Sequence, residues 1–254
     1  MQTMARLSKL GLLGGATLAA GALAGAALLR PSAPPRPAPP ASTPNYGFIE
    51  QIALAGDGGW DYLSIDPAAR RLYVAHGDHV DVLDIDHDTL VARIADTPGV
   101  HAVAIASPLG RGFVSDGQSS QVSIFELTGL ATIARVASDD GPDAIVFEPS
   151  RDEVYAFNGR GHSVTVLDAA TGRAVATVAL PGTPEFAVAD PAAGRVYDNI
   201  VDRNLVVAID MRSHAIVDEC PIAPGERASG MGIDTEHHRL FIGCRNQRLS
   251  LIHI

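Results

Sequence analysis

Three short motifs recur along this chain in the same order and at nearly constant spacing. Ile65-Asp66-Pro67, Ile105-Ala106-Ser107-Pro108, Phe147-Glu148-Pro149, Ala189-Asp190-Pro191 and Ile233-Asp234-Thr235 follow one another at intervals of 40 to 44 residues. Behind each comes an aromatic or aliphatic triplet: Leu72-Tyr73-Val74, Gly112-Phe113-Val114, Val154-Tyr155-Ala156, Val196-Tyr197-Asp198 and Leu240-Phe241-Ile242. A third series, Val80 to Asp84, Val122 to Glu126, Val164 to Asp168 and Val206 to Asp210, completes the register. Self-similarity at such a period means one supersecondary unit copied several times, each copy too small to bury its faces alone.

The cleanest copy runs from Pro142 to Gly182. Its β-branched or alternating runs, Ala144 to Phe147, Glu153 to Phe157, Ser163 to Leu167 and Ala174 to Leu180, are bounded by Pro149, Asn158-Gly159, Thr171-Gly172 and Pro181-Gly182. No segment carries a sustained helical period. With Gly 25 and Pro 17 in 254 residues, the chain is too rich in turn formers for a helical bundle. Four strands per unit at this period predict an all-β fold, a β-propeller of four-stranded blades, with about four and a half blades between residues 46 and 248.

The Trp-Asp and Gly-His marks of WD-type propellers are absent from the matching positions. The blocks Gly58-Gly59-Trp60-Asp61-Tyr62, Arg71-Leu72-Tyr73-Val74, Pro142-Asp143-Ala144-Ile145 and Pro184-Glu185-Phe186-Ala187-Val188 resemble those of the YVTN-repeat propellers, the YncE-like family of exported bacterial proteins. The resemblance covers Tyr46 to roughly Arg248, and it implies a seven-bladed ring. Tyr46 to Ala55 aligns with the fourth strand of a unit, and such an orphan strand completes the last blade of a closed propeller. The chain is therefore expected to be C-terminally truncated. Leu249 to Ile254 (LSLIHI) breaks the repeat and matches the translation of a transposon-end adapter used in sequencing libraries. Residues 249–254 are expected to be a non-native tail, a genuine third strand being the alternative.

At the other end, Arg6 and Lys9 precede the uncharged run Leu10 to Leu29, with small-residue cleavage sites between Ala22 and Ala26. Residues 1–29 read as a signal peptide or an N-terminal anchor, and residues 30–45 as a Pro/Ala-rich linker. Either reading makes the folded part periplasmic or secreted, with membrane contact only through an uncleaved N-terminus. The net charge of −10 argues against a nucleic-acid partner, whose affinity would come from cationic neutralisation. A small molecule or a protein is the expected partner.

In an antiparallel blade the innermost strand starts, and the second strand ends, on the same side of the disc. Strand-one starts supply Asp61, His101, Asp143, Glu185 and Ser229; strand-two ends supply His76, Asp116, Asn158, Asn199 and Cys244. Carboxylates and imidazole gathered at a channel mouth could bind a ligand, hold a divalent cation or act as general acid and base. Polar residues that merely finish strands at a wet rim are the plainer explanation.

Trp60, the single tryptophan, is a ligand-stacking platform beside Asp61 or an aromatic wedge buried between blades, and the wedge is the expectation. His76-Gly77-Asp78-His79 suggests a metal clip, but a tight turn accounts for Gly-Asp and is the reading preferred here. Asp84 to Asp88 lacks the glycine of a calcium loop at its sixth position, where Thr89 stands, and aligns with the plain turn Asp168 to Gly172. Cys220 and Cys244 are expected to be free thiols, with a disulfide as the alternative. No nucleophile elbow, Walker loop, CxxCH or zinc-finger spacing is present, so no catalytic residue is assigned.

Three functions follow. The first is an exported binding or scaffold propeller holding a small molecule or protein at its top face. The second, implied by lactonase-type propellers near this family, is a metal-assisted hydrolase or lyase using a divalent cation. The third is an accessory subunit of a periplasmic redox system, since quinoprotein and haem propellers share the repeat.

Overall fold

The computed structural model describes residues 47–254, so the predicted signal or anchor and the linker lie outside the described residues. The chain divides into two units, Met1–Ile49 and Glu50–Ile254, and all the described strands belong to the second. The fold is a β-propeller arrangement of five antiparallel sheets. The first blade is β1 (Trp60–Asp66), β2 (Arg71–His76), β3 (His79–Asp84) and β4 (Thr89–Ile94). The second is β5 (Val100–Ala106), β6 (Arg111–Asp116), β7 (Gln121–Glu126) and β8 (Thr132–Ala137). The third is β9 (Pro142–Glu148), β10 (Glu153–Asn158), β11 (Ser163–Asp168) and β12 (Ala174–Ala179). The fourth is β13 (Pro184–Asp190), β14 (Arg195–Ile200), β15 (Leu205–Asp210) and β16 (Ala215–Pro221). The fifth has three strands, β17 (Ala228–Asp234), β18 (Arg239–Cys244) and β19 (Arg248–His253). Among the described residues no helix is long and apolar enough to cross a membrane.

The described part of the orphan segment, residues 47–55, forms no strand, and none of the described strands pairs with it. Leu249 to Ile254, set apart above as a tail, lies largely in β19, which pairs with β18 from Arg239↔His253 to Cys244↔Arg248. Its alternation is sufficient for pairing, whatever the origin of the segment.

Burial lies between blades. Tyr73, Val80, Val82 and Ile94 of the first blade meet Val100, Val103, Val114 and Phe125 of the second, and equivalent clusters follow between each later pair. Four such seams hold five blades. The outer faces of the end blades stay apolar and open: Leu63 and Ile65 on the first, Phe241, Leu249 and Leu251 on the fifth.

The repeat keeps volume constant where its residues vary. Leu72 pairs with Leu83 and Val154 with Leu167, but in the second blade Gly112 faces Phe125. A Cβ on Gly112 would come within 2.0 Å of the Phe125 ring, so the glycine makes room for the larger partner.

The Asp-Pro motif also has a physical basis. Asp66 Oδ1 accepts from the backbone N–H groups of Ala68 and Ala69, and Asp190 Oδ1 from those of Ala192 and Ala193. Each buried carboxylate closes the turn leaving the innermost strand. Asp84 treats Asp86 and His87 likewise, and Asp168 treats Thr171, which makes the Asp84 loop a turn of the repeat.

Candidate channel-mouth site

Every blade carries the same irregularity between its first two strands. Pairing jumps from Trp60↔His76 to Leu63↔Val74 in the first blade, with equivalent jumps in the other four. Two residues of the inner strand thus oppose one residue of the second, a β-bulge, which re-aims side chains. The bulged residues include Asp61, His101, Asp143, Glu185 and Ser229, and this repeated bulge carries them to one end of the innermost strands.

Three of them converge. His101 Nδ1 lies 2.7 Å from Asp61 Oδ2 and 3.7 Å from Asp143 Oδ1, and one donor atom from each residue lies within 4.8 Å of the others. All three side chains are about a third exposed: 38%, 36% and 29% for Asp61, His101 and Asp143. Burial pushes the Asp143 carboxyl up to about 6; His101 pulls it down while Asp61 and Glu185 raise it. Glu185 stands apart from this triad, 3.5 Å from the Arg245 guanidinium. Beneath them, Tyr62 and Phe186 meet edge-on at 5.4 Å, and the Tyr62 hydroxyl donates to the Glu185 carbonyl. Together with Ala102, Val103, Ala144 and Val146 they line a cavity of about 110 Å³ between the innermost strands.

The strand-two ends behave differently. His76, Asp116, Asn158 and Asn199 are buried and support the rim from within their blades. Asn158 Nδ2 donates to Ser163 and Thr165, while its amide oxygen accepts from Ser138. Asp116 Oδ2 accepts from Ser123; burial nevertheless pushes its carboxyl up to about 7.

The register corrects one assignment. Ile200, opposite Pro184, occupies the position of His76, Asp116 and Asn158, while Asn199 is equivalent to Ser115. Both have the same task. Ser115 donates to the carbonyl of Asp143 at 2.6 Å, and Asn199 Nδ2 to that of Ser229 at 2.8 Å, each anchoring the bulged residue of the next blade.

Trp60 is not a wedge between blades. It is 51% exposed and stacks on the His76 ring, with centroids 3.7 Å apart. Cys220 and Cys244 are free thiols.

Asp198, Tyr62 and Arg245 join the site without having been singled out in the sequence. Asp198 is fully buried where other blades have Val74, Val114, Ala156 and Ile242. Burial drives its carboxyl well above the usual range, and neither oxygen makes a well-formed hydrogen bond. A carboxylate at an otherwise aliphatic repeat position was the signal that could have revealed it.

The fold and this rim define the class: a β-propeller chain whose channel mouth carries carboxylates around an imidazole. No family model and no curated protein matches the sequence. Among solved structures, hydrazine synthase of Kuenenia stuttgartiensis is similar, with a TM-score of 0.68 and 16% identity over 77% of this chain and 58% of that one. The chain thus spans less than two thirds of that relative's length. Since 1373 solved chains share the likeness, the fold by itself selects no activity.

Proposed function

We propose that this chain is an exported binding propeller of the YncE-like kind, which holds a cation or a small cationic ligand at its channel mouth. One observation carries the reading: His101 lies between Asp61 and Asp143, so three successive blades present a single donor cluster to solvent. Glu185 adds a further carboxylate against the single guanidinium of Arg245, and a rim with three carboxylates to one guanidinium attracts positive charge. The apolar N-terminal run and the YVTN-like blocks support export. The test is a thermal-shift measurement on the full chain with Ca²⁺, Mn²⁺ and, as an organic cation, spermidine. A rise in Tm is expected in the wild type and its loss in the His101→Ala/Asp143→Ala double variant. No rise with any probe, or an undiminished rise in the variant, overturns the reading.

A second reading, a metal-assisted hydrolase, is favoured by Asp143, whose carboxyl at about 6 can both take up and release a proton near neutrality. Hydrolysis of a simple γ-lactone would then fall by roughly 10²–10⁴-fold in Asp143→Asn. Equal turnover in the two proteins, or none in either, removes it.

A further inference from the structure

We propose that His76, His79 and Asp81 form a second site, distinct from the channel mouth, that binds a zinc-class transition-metal ion. The hairpin between β2 and β3 turns at Gly77-Asp78 and pairs His76 directly with His79. Alternation along β3 then puts Asp81 on the same face as His79. The imidazole rings are 4.5 Å apart, and one donor atom from each of the three residues lies within 4.8 Å of the others. His76 Nδ1 is 3.3 Å from Asp81 Oδ2, and His79 Nε2 is 3.5 Å from Asp81 Oδ1. Donors around a tetrahedral ion with arms of about 2.0–2.2 Å stand roughly 3.3–3.5 Å apart, so each imidazole stands at ligand spacing from the Asp81 carboxylate, His76 from Oδ2 and His79 from Oδ1.

The hydrogen bonding points the same way. His79 Nδ1 lies 2.8 Å from the exposed Asp78 carboxylate, which holds the proton on that nitrogen and leaves the lone pair on Nε2. That Nε2 is buried and has no hydrogen-bond partner, and the same holds for His76 Nε2. Arg93 Nε donates to Asp81 Oδ1 at 2.8 Å and would orient the ligating carboxylate from behind. In the third blade the equivalent positions are Asn158, Ser163 and Thr165, which satisfy one another. The first blade replaces that closed hydroxyl network with metal-ligand types and leaves the His79 Nε2 open beside Asp81, with His76 Nδ1 facing the same carboxylate. Trp60 covers the His76 ring, and Gly56 lies so close that an added Cβ would come within 2.6 Å of it.

The single tryptophan is a built-in reporter. Zn²⁺ is titrated calorimetrically into the full-length chain, and Co²⁺ is titrated with Trp60 emission and visible absorption as readouts. The proposal expects stoichiometric Zn²⁺ binding, Trp60 quenching that saturates with Co²⁺, and, in His79→Gln and Asp81→Asn, loss of the quenching and of one equivalent of Zn²⁺. Asp78→Asn, a change at an exposed side chain, is expected to weaken binding by about 10–100-fold. Asp61→Ala is expected to retain the Trp60 signal, which separates this site from the mouth. Absence of Zn²⁺ binding by the wild type overturns the proposal, as does wild-type affinity in both His79→Gln and Asp78→Asn. Loss of the signal in Asp61→Ala alone assigns the ion to the mouth and equally overturns it.

Discussion

The hydroxyl of Ser115, in the second blade, donates to the backbone carbonyl of Asp143, in the third, at 2.6 Å, while accepting from the N–H of Ala102 in its own bulge. One side chain thus ties the bulge of its own blade to the rim residue of the next. Ser115→Ala leaves a buried donor and an acceptor without partners. Its expected cost is about 1–3 kcal/mol in urea unfolding. Ser115→Thr retains the hydroxyl and should recover part of that loss; equal stability of all three proteins would contradict the tie.

Asp116 makes stability depend on pH in a definite direction. Burial raises its folded-state pKa to about 7, above the ordinary 3.8. The neutral carboxyl is the form the fold prefers, so its contribution is complete below about pH 4 and is lost as pH rises through about 7. Asp116→Asn removes this titration. Between about pH 4 and pH 8 the wild type should lose stability relative to the variant by at least about 1.4 kcal/mol. Parallel pH profiles would show that Asp116 is not held neutral.

Gly112 and Phe125 should behave as one unit. Gly112→Ala puts a Cβ into the phenyl ring and is expected to cost about 1–3 kcal/mol. Adding Phe125→Leu, the residue found at the equivalent Leu83 and Leu167, should restore most of it. A double-mutant cycle is expected to give a favourable coupling of about 0.5–3 kcal/mol; simple additivity would refute the exchange of volumes.

The open face of the fifth blade predicts self-association. Leu249 and Leu251 are 68% and 50% exposed on an edge strand, an arrangement that templates further pairing. Leu251→Lys is expected to lower light scattering at a given protein concentration without lowering Tm. Unchanged scattering would show that this face is not the one that associates.

Much of this was legible in the sequence because the repeat constrains it. The strand boundaries around Asp61, His101, Asp143 and Glu185 follow from two registers agreeing over five copies and a third over four, and the blade count from their period. The bulge is invisible to such alignment, since it alters pairing without altering spacing. For that reason His76, Asp116 and Asn158 read as rim groups, although they lie buried under it. Asn199 lies one position off that series, because the residue equivalent to His76, Asp116 and Asn158 is the aliphatic Ile200. The link between His76 and Asp81 was hidden by the ordinary look of Gly77-Asp78 as a turn, which it also is.

The bulge that recurs in all five blades separates two tasks that most strands must combine. Pairing on either side of it holds the sheet together, while the residue at its crest is aimed by backbone geometry and, at Asp143 and Ser229, by a neighbour's grip on its carbonyl. Asp, His, Asp, Glu and Ser occupy that crest in turn without disturbing the ladders beneath. Each blade is in effect a socket with an exchangeable fitting, and the groups such a ring presents can be exchanged one socket at a time while the architecture stands still.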